Sequence, residues 1–305
     1  MSQPYPGPPG YFPVPPLVLP PVRRYRPLRR VTTAFLVLAV LTLILTAVQA
    51  VLMWRSYDEV KRFVYGLLSD DELDRAVASI AGSGPLLNLM WMTFAGAGAV
   101  FLIWLWKARE NTELLTPSVG VTYQGGQRLG SGRHRLDTGW VIGSWVCPIV
   151  QFWYPLQVVE DVVQASEPTD EPKRVKTLLY AWWACWTAFW VIIVGGGSLA
   201  FFSIAVWIVR VLDRAEAATE SGDYLDLYDL QSFMVGLALT VNIAFTIATV
   251  LLAAAGAAVV MLMYRTNAWQ DARMSRPTDQ PPPGPPQYAP RPEFPSYAQR
   301  SPWQR

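Results

Sequence analysis

Four long stretches of this chain are apolar and contain no Asp, Glu, Lys or Arg: residues 31–54, 85–106, 177–209 and 232–264. A helix needs about 20 residues to cross the ~30 Å hydrocarbon core of a bilayer, and each stretch is longer than that. Because lipid offers backbone amides no hydrogen-bond partner, such stretches must form helices. The sequence therefore predicts an all-α, polytopic integral membrane protein, with four transmembrane helices in a membrane domain over residues 31–264.

Lys and Arg, which mark the cytoplasmic side of membrane proteins, are distributed unevenly around these stretches. They are frequent before the first stretch, between the second and third, and after the fourth. The connections at residues 55–84 and 210–231 instead hold six Lys/Arg against twelve Asp/Glu. We therefore expect both termini and the 107–176 loop in the cytoplasm, two acidic loops outside, and two helical hairpins in series. The last two stretches exceed the bilayer thickness and must tilt, project or kink, with Gly195–Gly197 as the expected kink site.

Both ends of the chain are rich in proline, since residues 1–30 and 265–305 hold ten prolines each. Such segments bury too little surface to fold, so we expect disordered or polyproline-II-like tails. They are either ligands for proline-recognition domains or solvated tails, and composition alone favours the second. Five arginines between residues 23 and 30 fit either binding to anionic lipid head groups or topology signalling alone.

The second and fourth stretches close with the same small signature, an aromatic residue and then Arg-x-Asn. The residues are Arg109 and Asn111 in one case, Arg265 and Asn267 in the other. Residues two apart on a helix point in nearly opposite directions. We therefore expect each Arg to reach lipid phosphates and each Asn to turn toward the bundle. Either an internal duplication or the ordinary composition of a membrane boundary explains the signature.

Residues 138–166, between the two hairpins, do not have the pattern of a plain transmembrane helix. Their apolar part is nearly of membrane length, but Pro148 and Pro155 each remove a helical hydrogen bond. Interface-seeking rings, among them Trp140 and Trp145, are spread along the segment rather than confined to its ends. A fifth crossing would also place one of the flanking Lys/Arg clusters outside the cell, against the bias of Lys and Arg toward the cytoplasm. We interpret the segment as a proline-broken cytoplasmic-face element that lies in the interface or re-enters the bundle.

This element is predicted to end in an amphipathic helix from about Pro155 to Ala165, because polar residues and valines alternate there at helical spacing. Asp161 falls on the polar face beside Glu160. Adjacent carboxylates on a helix point apart, so this pair suits a solvated face better than acid–base catalysis.

The chain contains no sequence motif of an active site or a metal site. Nucleophile-elbow, phosphate-loop and zinc-protease motifs are missing from it. Its two cysteines, Cys147 and Cys185, and its single histidine, His134, cannot assemble a structural zinc site. We therefore expect no enzymatic activity, no cofactor, no metal and no nucleic-acid partner.

A series of motifs runs through residues 86–264: Arg109-x-Asn111, Gly139-Trp140-Val141-x-Gly143-x-Trp145-Val146-x-Pro148-Ile149, Trp153-x-Pro155, Asp161 with Ala165-Ser166, and Ala181-Trp182-Trp183. In this order they resemble an uncharacterised actinobacterial membrane-protein family, domain of unknown function 4328. Cys147 and Gln151 depart from the family pattern, which usually has an aliphatic residue and Asn there. The resemblance implies the fold and an actinobacterial plasma membrane, and it offers no catalytic residue to transfer.

The leading functional hypothesis is a non-enzymatic interaction or envelope-associated protein that docks through the broken element. The alternative is a small-solute transporter or channel. Gln49, Asn88 and Asn242 are the polar side chains at depth besides Ser and Thr, and such groups more often tie helices together than line a path. The expected partners are the lipid bilayer and other membrane or envelope proteins, contacted through the cytoplasmic loop or the tails.

We expect the broken element to pack on the cytoplasmic helix ends through Trp145, Pro148 and Pro155, with Asn111 capping exposed backbone groups. The candidate structural or docking residues are Arg109, Asn111, Trp140, Trp145, Pro148, Pro155, Asp161, Trp182 and Trp183.

Overall fold

The computed structural model describes residues 25–115, 134–147, 150–168, 174–222 and 226–275. Within these ranges the regular elements are helices: α1 Arg29–Val64, α2 Asp70–Leu115, α3 Trp140–Val146, α4 Tyr154–Ser166, α5 Arg174–Trp190, a π-helical segment Val191–Gly196, α6 Gly197–Ser221 and α7 Tyr228–Ser275. Four helical stretches are long and apolar enough to cross a membrane, which confirms, for the described residues, an all-α fold with four candidate spans. Residues 1–24 and 276–305 of the expected tails, the glycine-rich part of the 107–176 loop, and Pro148 lie outside the described residues.

The long helices extend past the apolar stretches that predicted them. α2 begins at Asp70 rather than near residue 85. α7 continues to Ser275, so residues 265–275 are helix and not the start of the C-terminal tail. Hydrophobicity marks only the part of a helix that lies in lipid, whereas Glu, Lys, Arg and Ala have high helix propensity and continue it into water. Hydrophobicity therefore does not determine where these helices begin and end.

Two capping motifs form the short turn between α1 and α2. Gly66 has a φ of 66°, and the N–H of Leu67 donates to the Arg62 carbonyl at 2.8 Å, as in a Schellman motif. The N–H of Ser69 donates to the Glu72 carboxylate at 3.0 Å, which is the reach-back half of a capping box. Arg62 also pairs with Glu72 at 2.9 Å. The Ser69 N–H, and after it Arg62, hold the pKa of Glu72 below its ordinary value.

α1 packs along both α2 and α7, and α7 also packs along α5. Small residues occupy these contacts, since Ala97 on α2 and Ala255 and Ala258 on α7 are buried. A Cβ added to Gly96 would lie 3.6 Å from Leu38 Cδ1. Small side chains allow helix backbones to approach closely in lipid, where no hydrophobic effect drives association. The orientation of this bundle in the membrane, and its division into two hairpins, stay predictions.

In the described part of the chain, α2 and α5 meet through aromatic rings rather than through closely packed backbones. Phe94 of α2 stacks on Trp186 with ring centroids 6.1 Å apart, and Trp190 meets Phe94 edge-on at 5.9 Å. Nearer the end of α2, the rings of Phe101 and Trp182 are 6.2 Å apart. Rings therefore close this side of the bundle.

The third span is one long helix interrupted by the π-helical segment Val191–Gly196, which overlaps the expected kink site at Gly195–Gly197. α6 exposes large apolar side chains such as Leu199, which is 69% exposed. This pattern is typical of a helix that faces lipid. The indole N–H of Trp207 donates to the Leu230 carbonyl at 2.9 Å and joins α6 to α7.

Helices α3 and α4 cover the end of the bundle where α1 and α5 begin and α2 and α7 end. We call residues 134–168 the cap. α4 is one residue longer at each end than the sequence predicted, and Val158 and Val162 on it are buried. With seven residues in α3 and thirteen in α4, neither helix can cross a bilayer. The described part of the cap is therefore not a fifth span.

Candidate functional site

Asn111, near the end of α2, is fully buried and bonds to the backbone that leads into α1. Its Oδ1 accepts from the Arg26 N–H at 3.0 Å, and its Nδ2 donates to the Arg26 carbonyl at 2.9 Å. Arg26 also pairs with Glu110 at 3.2 Å. Asn111 therefore satisfies exposed backbone groups, but those groups precede α1 and do not belong to the broken element as expected.

Gln270 on α7 connects Asn111 to the cap and is 0% exposed. Its Oε1 accepts from Asn111 Nδ2 at 3.0 Å. Its Nε2 donates to the Ala108 carbonyl at 3.1 Å and to Ser166 Oγ at 2.8 Å. Ser166 in turn donates to the Val162 carbonyl at 2.8 Å within α4. One amide side chain thus joins α7 to both α2 and α4.

A second group of buried polar residues lies nearer the membrane-spanning part of the bundle. The indole N–H of Trp104 donates to Asn267 Oδ1 at 3.0 Å, and Asn267 Nδ2 donates to Thr32 Oγ1 at 2.8 Å. These bonds join α2, α7 and α1. We call the six residues of both groups the polar network: Thr32, Trp104, Asn111, Ser166, Asn267 and Gln270.

The two Arg-x-Asn signatures differ in the direction of their arginines. Both asparagines turn into the bundle, as their spacing predicted, and Arg265 is exposed. Arg109, however, is buried, and the expectation that it reaches toward lipid is wrong. Its guanidinium donates to the carbonyl of Leu136 and, at 3.4 Å, to that of Asp137. These acceptors lie far along the chain, so local spacing could not reveal them.

Two arginines hold the backbone at the ends of the cap. Arg109 binds the carbonyls of Leu136 and Asp137, just before α3. Arg273 on α7 donates to the carbonyl of Ala165, at 2.8 Å, and to that of Glu167, both at the end of α4. The last carbonyls of a helix have no partner within it and carry partial negative charge, so a guanidinium is favourable there.

Asp161 was expected on a solvated face, but it is only 6% exposed. Its carboxylate accepts from the backbone N–H of Arg135 and from Arg135 Nε, both at 2.8 Å. Arg135 also reaches Glu160 at 2.7 Å. A buried carboxylate must be paired, and Arg135 supplies the pairing. The two acidic residues therefore clamp the beginning of the cap onto α4.

The aromatic candidates Trp145, Trp182 and Trp183 lie together where the cap meets α2 and α5. Trp145 meets Phe101 edge-on with ring centroids 5.6 Å apart, and Trp183 at 6.4 Å. Trp182, adjacent to Trp183, and Pro155 at the start of α4 are buried. Two further candidates stand apart from this group. Trp140 packs instead on Tyr154 at 4.9 Å, and Pro148 lies outside the described residues.

An apolar cavity of about 440 Å³ lies beneath the cap, between α1, α2, α5 and α7. Its lining includes Phe94, Phe101, Trp145, Trp182, Trp186 and Trp190. The Nε1 of Trp145 is buried and has no hydrogen-bond partner among the described residues. The cavity is therefore a space for an apolar molecule.

Sequence reasoning missed Gln270, Ser166, Arg135 and Arg273 as members of the site. Gln270 lies within residues 265–305, which their proline content predicts to be a tail. The available signal was its position three residues after Asn267, which places both on one helix face. In the described ranges no group of three or more His, Cys, Asp and Glu side chains could hold a metal ion.

Comparison with known proteins gives one family match. A family model described as "Domain of unknown function (DUF4328)" matches residues 66–267. This range is more than half of the chain, so the chain belongs to this family. The match confirms the family predicted from the motifs, whereas an actinobacterial origin stays a prediction. No curated protein and no solved structure matches the chain.

Proposed function

We propose that this member of the DUF4328 family is a non-enzymatic multi-pass protein of the plasma membrane that works by binding another membrane or envelope protein. In this proposal the cap lies on the cytoplasmic side, together with both termini. The observation that carries it is the contrast between the two sides of the cap. The inner side is fixed to the helix ends, whereas the outer edge exposes Ile142, Val146, Phe152 and Trp153, with Val146 73% exposed.

The inner side supports the proposal because it holds the cap in one position. Arg109, Asp161 and Arg273 each bind their partners at a different point of the cap. Gln270 joins the end of the cap to α2 and α7. A docking surface on a rigid support loses little conformational freedom when a partner binds. A carboxylate already engaged by Arg135, as in Asp161, is also poorly suited to act as a general base.

The outer edge supports binding of a protein because it combines apolar side chains with aromatic rings. Interface cores are enriched in aromatic residues, and an exposed apolar patch on a rigid element is typical of an interaction site. The partner we infer presents apolar side chains at the membrane interface, where this edge lies.

The buried polar groups of the spans favour binding over conduction of a solute. Asn242 Nδ2 donates to the Met53 carbonyl at 3.3 Å, and so ties α7 to α1. The four apolar stretches contain no Asp, Glu, Lys, Arg or His side chain, although such groups usually mark ion-coupled pathways. The cavity beneath the cap is likewise apolar.

Site-specific photo-crosslinking in native membranes tests the proposal. A photoreactive amino acid at Val146 or Phe152 should give an adduct of one defined mass. The matched control is Ile208, which is 46% exposed and lies on α6, a helix that does not pack on α3 or α4 in the described part of the chain. The adduct should disappear in Trp153→Ser, whose stability in detergent should equal that of the wild type.

Two outcomes would contradict the docking role. Lipid adducts alone at all three positions would mean that lipid, and not a protein partner, covers the edge. Solute uptake by proteoliposomes containing the purified protein, with no protein adduct at the cap, would instead support the transporter alternative.

A further inference from the structure

We propose that the cavity beneath the cap binds the acyl chain of a membrane lipid. The proposal does not depend on the docking role of the outer edge. It rests on the lining of the cavity and on the aromatic side of the bundle between α2 and α5.

The lining determines the chemical class of the ligand. A volume of about 440 Å³ lies within the range of small-molecule sites, roughly 300–1,000 Å³. The residues around it are almost all apolar, among them Phe35, Ala97, Leu102 and Leu252. Apolar cavities of this kind stay dry and accept apolar molecules rather than water. Among the spans of a membrane protein, the apolar molecules at high concentration are lipids.

The cavity extends from the cap into the spans, so an acyl chain bound in it would run along the helices. Trp145 of the cap lines the cavity, and Phe94 and Trp190 line it deeper in the spans. From residue 94 to residue 102, α2 follows the cavity for about 12 Å. The Nε1 of Trp145 is buried away from this space, so the chain meets the Trp145 ring through its carbon atoms.

The side between α2 and α5 provides a route of entry from the bilayer. The rings of Phe94, Trp186 and Trp190 close this side, without tightly packed backbones. Aromatic side chains can change rotamer without disturbing a helix backbone. A lipid chain can therefore enter sideways while its head group stays at the membrane interface.

Two glycines allow the cavity to be filled without disturbing the backbone. Gly98 on α2 and Gly256 on α7 both line the cavity, and a Cβ on either one would meet no atom within 4 Å. Gly98→Leu and Gly256→Leu should therefore occupy the space that the acyl chain requires. Gly236→Leu is the matched control, since Gly236 lies on the same helix as Gly256, has equally open surroundings and does not line the cavity.

The experiment uses the delipidated full-length protein in detergent and two probes. One is phosphatidylglycerol with a diazirine in one acyl chain, and the other is the free fatty acid with the same chain. We expect saturable labelling of peptides from the cavity lining, reduced at least fivefold by either filling variant and unchanged in Gly236→Leu.

The two probes distinguish a bilayer phospholipid from a free fatty acid as the source of the chain. Labelling that does not saturate, or that is equal in wild type and both filling variants, would overturn the proposal. Thermal stability is measured on every variant. If one filling variant is unstable, the other filling variant decides the outcome.

Discussion

Replacing Gln270 with Met should destabilise the bundle substantially, although Met has a similar size and shape. The wild-type side chain makes three hydrogen bonds, to Asn111, Ala108 and Ser166. At about 1 kcal/mol net for each bond, their loss costs roughly 3 kcal/mol. Water cannot compensate for these bonds, because Gln270 is 0% exposed. The Asn111 amide would therefore lose its partner without gaining another.

The measurement is the temperature at which half of the detergent-purified protein loses its monodisperse elution peak after heating. For domains of 150–250 residues, 1 kcal/mol shifts a melting temperature by about 2–4 °C, so the expected decrease is roughly 6–12 °C. Gln164→Met is the control. Gln164 lies on the exposed side of α4, where its amide donates to the Glu160 carboxylate at 2.9 Å. Its replacement should change the temperature by less than about 2 °C.

A double variant sharpens this test. If Gln270→Met strands the Asn111 amide, then Asn111→Leu should cost less in the Gln270→Met background than in the wild type, because the two residues share a bond. Equal costs in both backgrounds, or a decrease below about 2 °C for Gln270→Met alone, would refute the reasoning that the polar network holds the cap to the bundle.

Three further predictions concern the turn, the topology and the tail. Gly66→Ala should cost about 1 kcal/mol, because its positive φ disfavours any side chain although the surroundings are open. Gly84→Ala, inside α2 and in equally open surroundings, should be neutral or stabilising when both are measured by thermal unfolding. In a cysteine-free background, a cysteine at Ser131 should resist an impermeant thiol reagent in intact cells and one at Ser221 should react; the reverse would invert the proposed orientation. Deletion of residues 278–305 should leave membrane insertion and detergent stability unchanged, and a large loss of stability would show that this tail packs on the bundle.

The spans could be predicted from the sequence because the absence of charge over more than twenty residues has one physical solution in lipid. The ends of the helices could not be predicted in this way, because the helices continue through charged residues. α2 begins with Asp70, and α7 includes Arg273. Capping residues carry that information, and Gly66 and Ser69 are the residues that mark the turn between α1 and α2. The amphipathic helix α4 was predictable because its period is local.

The direction of a side chain in the site could be predicted only where the spacing of neighbouring residues on one helix determines it. Asn111 and Asn267 turn into the bundle, as the spacing of their Arg-x-Asn signatures predicted. Arg109 and Asp161 were misjudged because their partners, the Leu136 carbonyl and Arg135, lie 27 and 26 residues away in sequence. No periodicity reports such contacts, since they depend on how the cap folds back on the helix ends.

The π-helical segment Val191–Gly196 determines the register of everything that follows it in the third span. In an α-helix each residue turns by about 100°, so a segment with wider turns shifts the angular phase of α6 relative to α5. That phase places Trp207 opposite the Leu230 carbonyl, and it places Arg214 within 2.8 Å of Asp229. Removing one residue at the segment would rotate both contacts away from α7, while a change of sequence without a change of length would preserve them. The length of this span, more than its composition, therefore determines how α6 packs on α7.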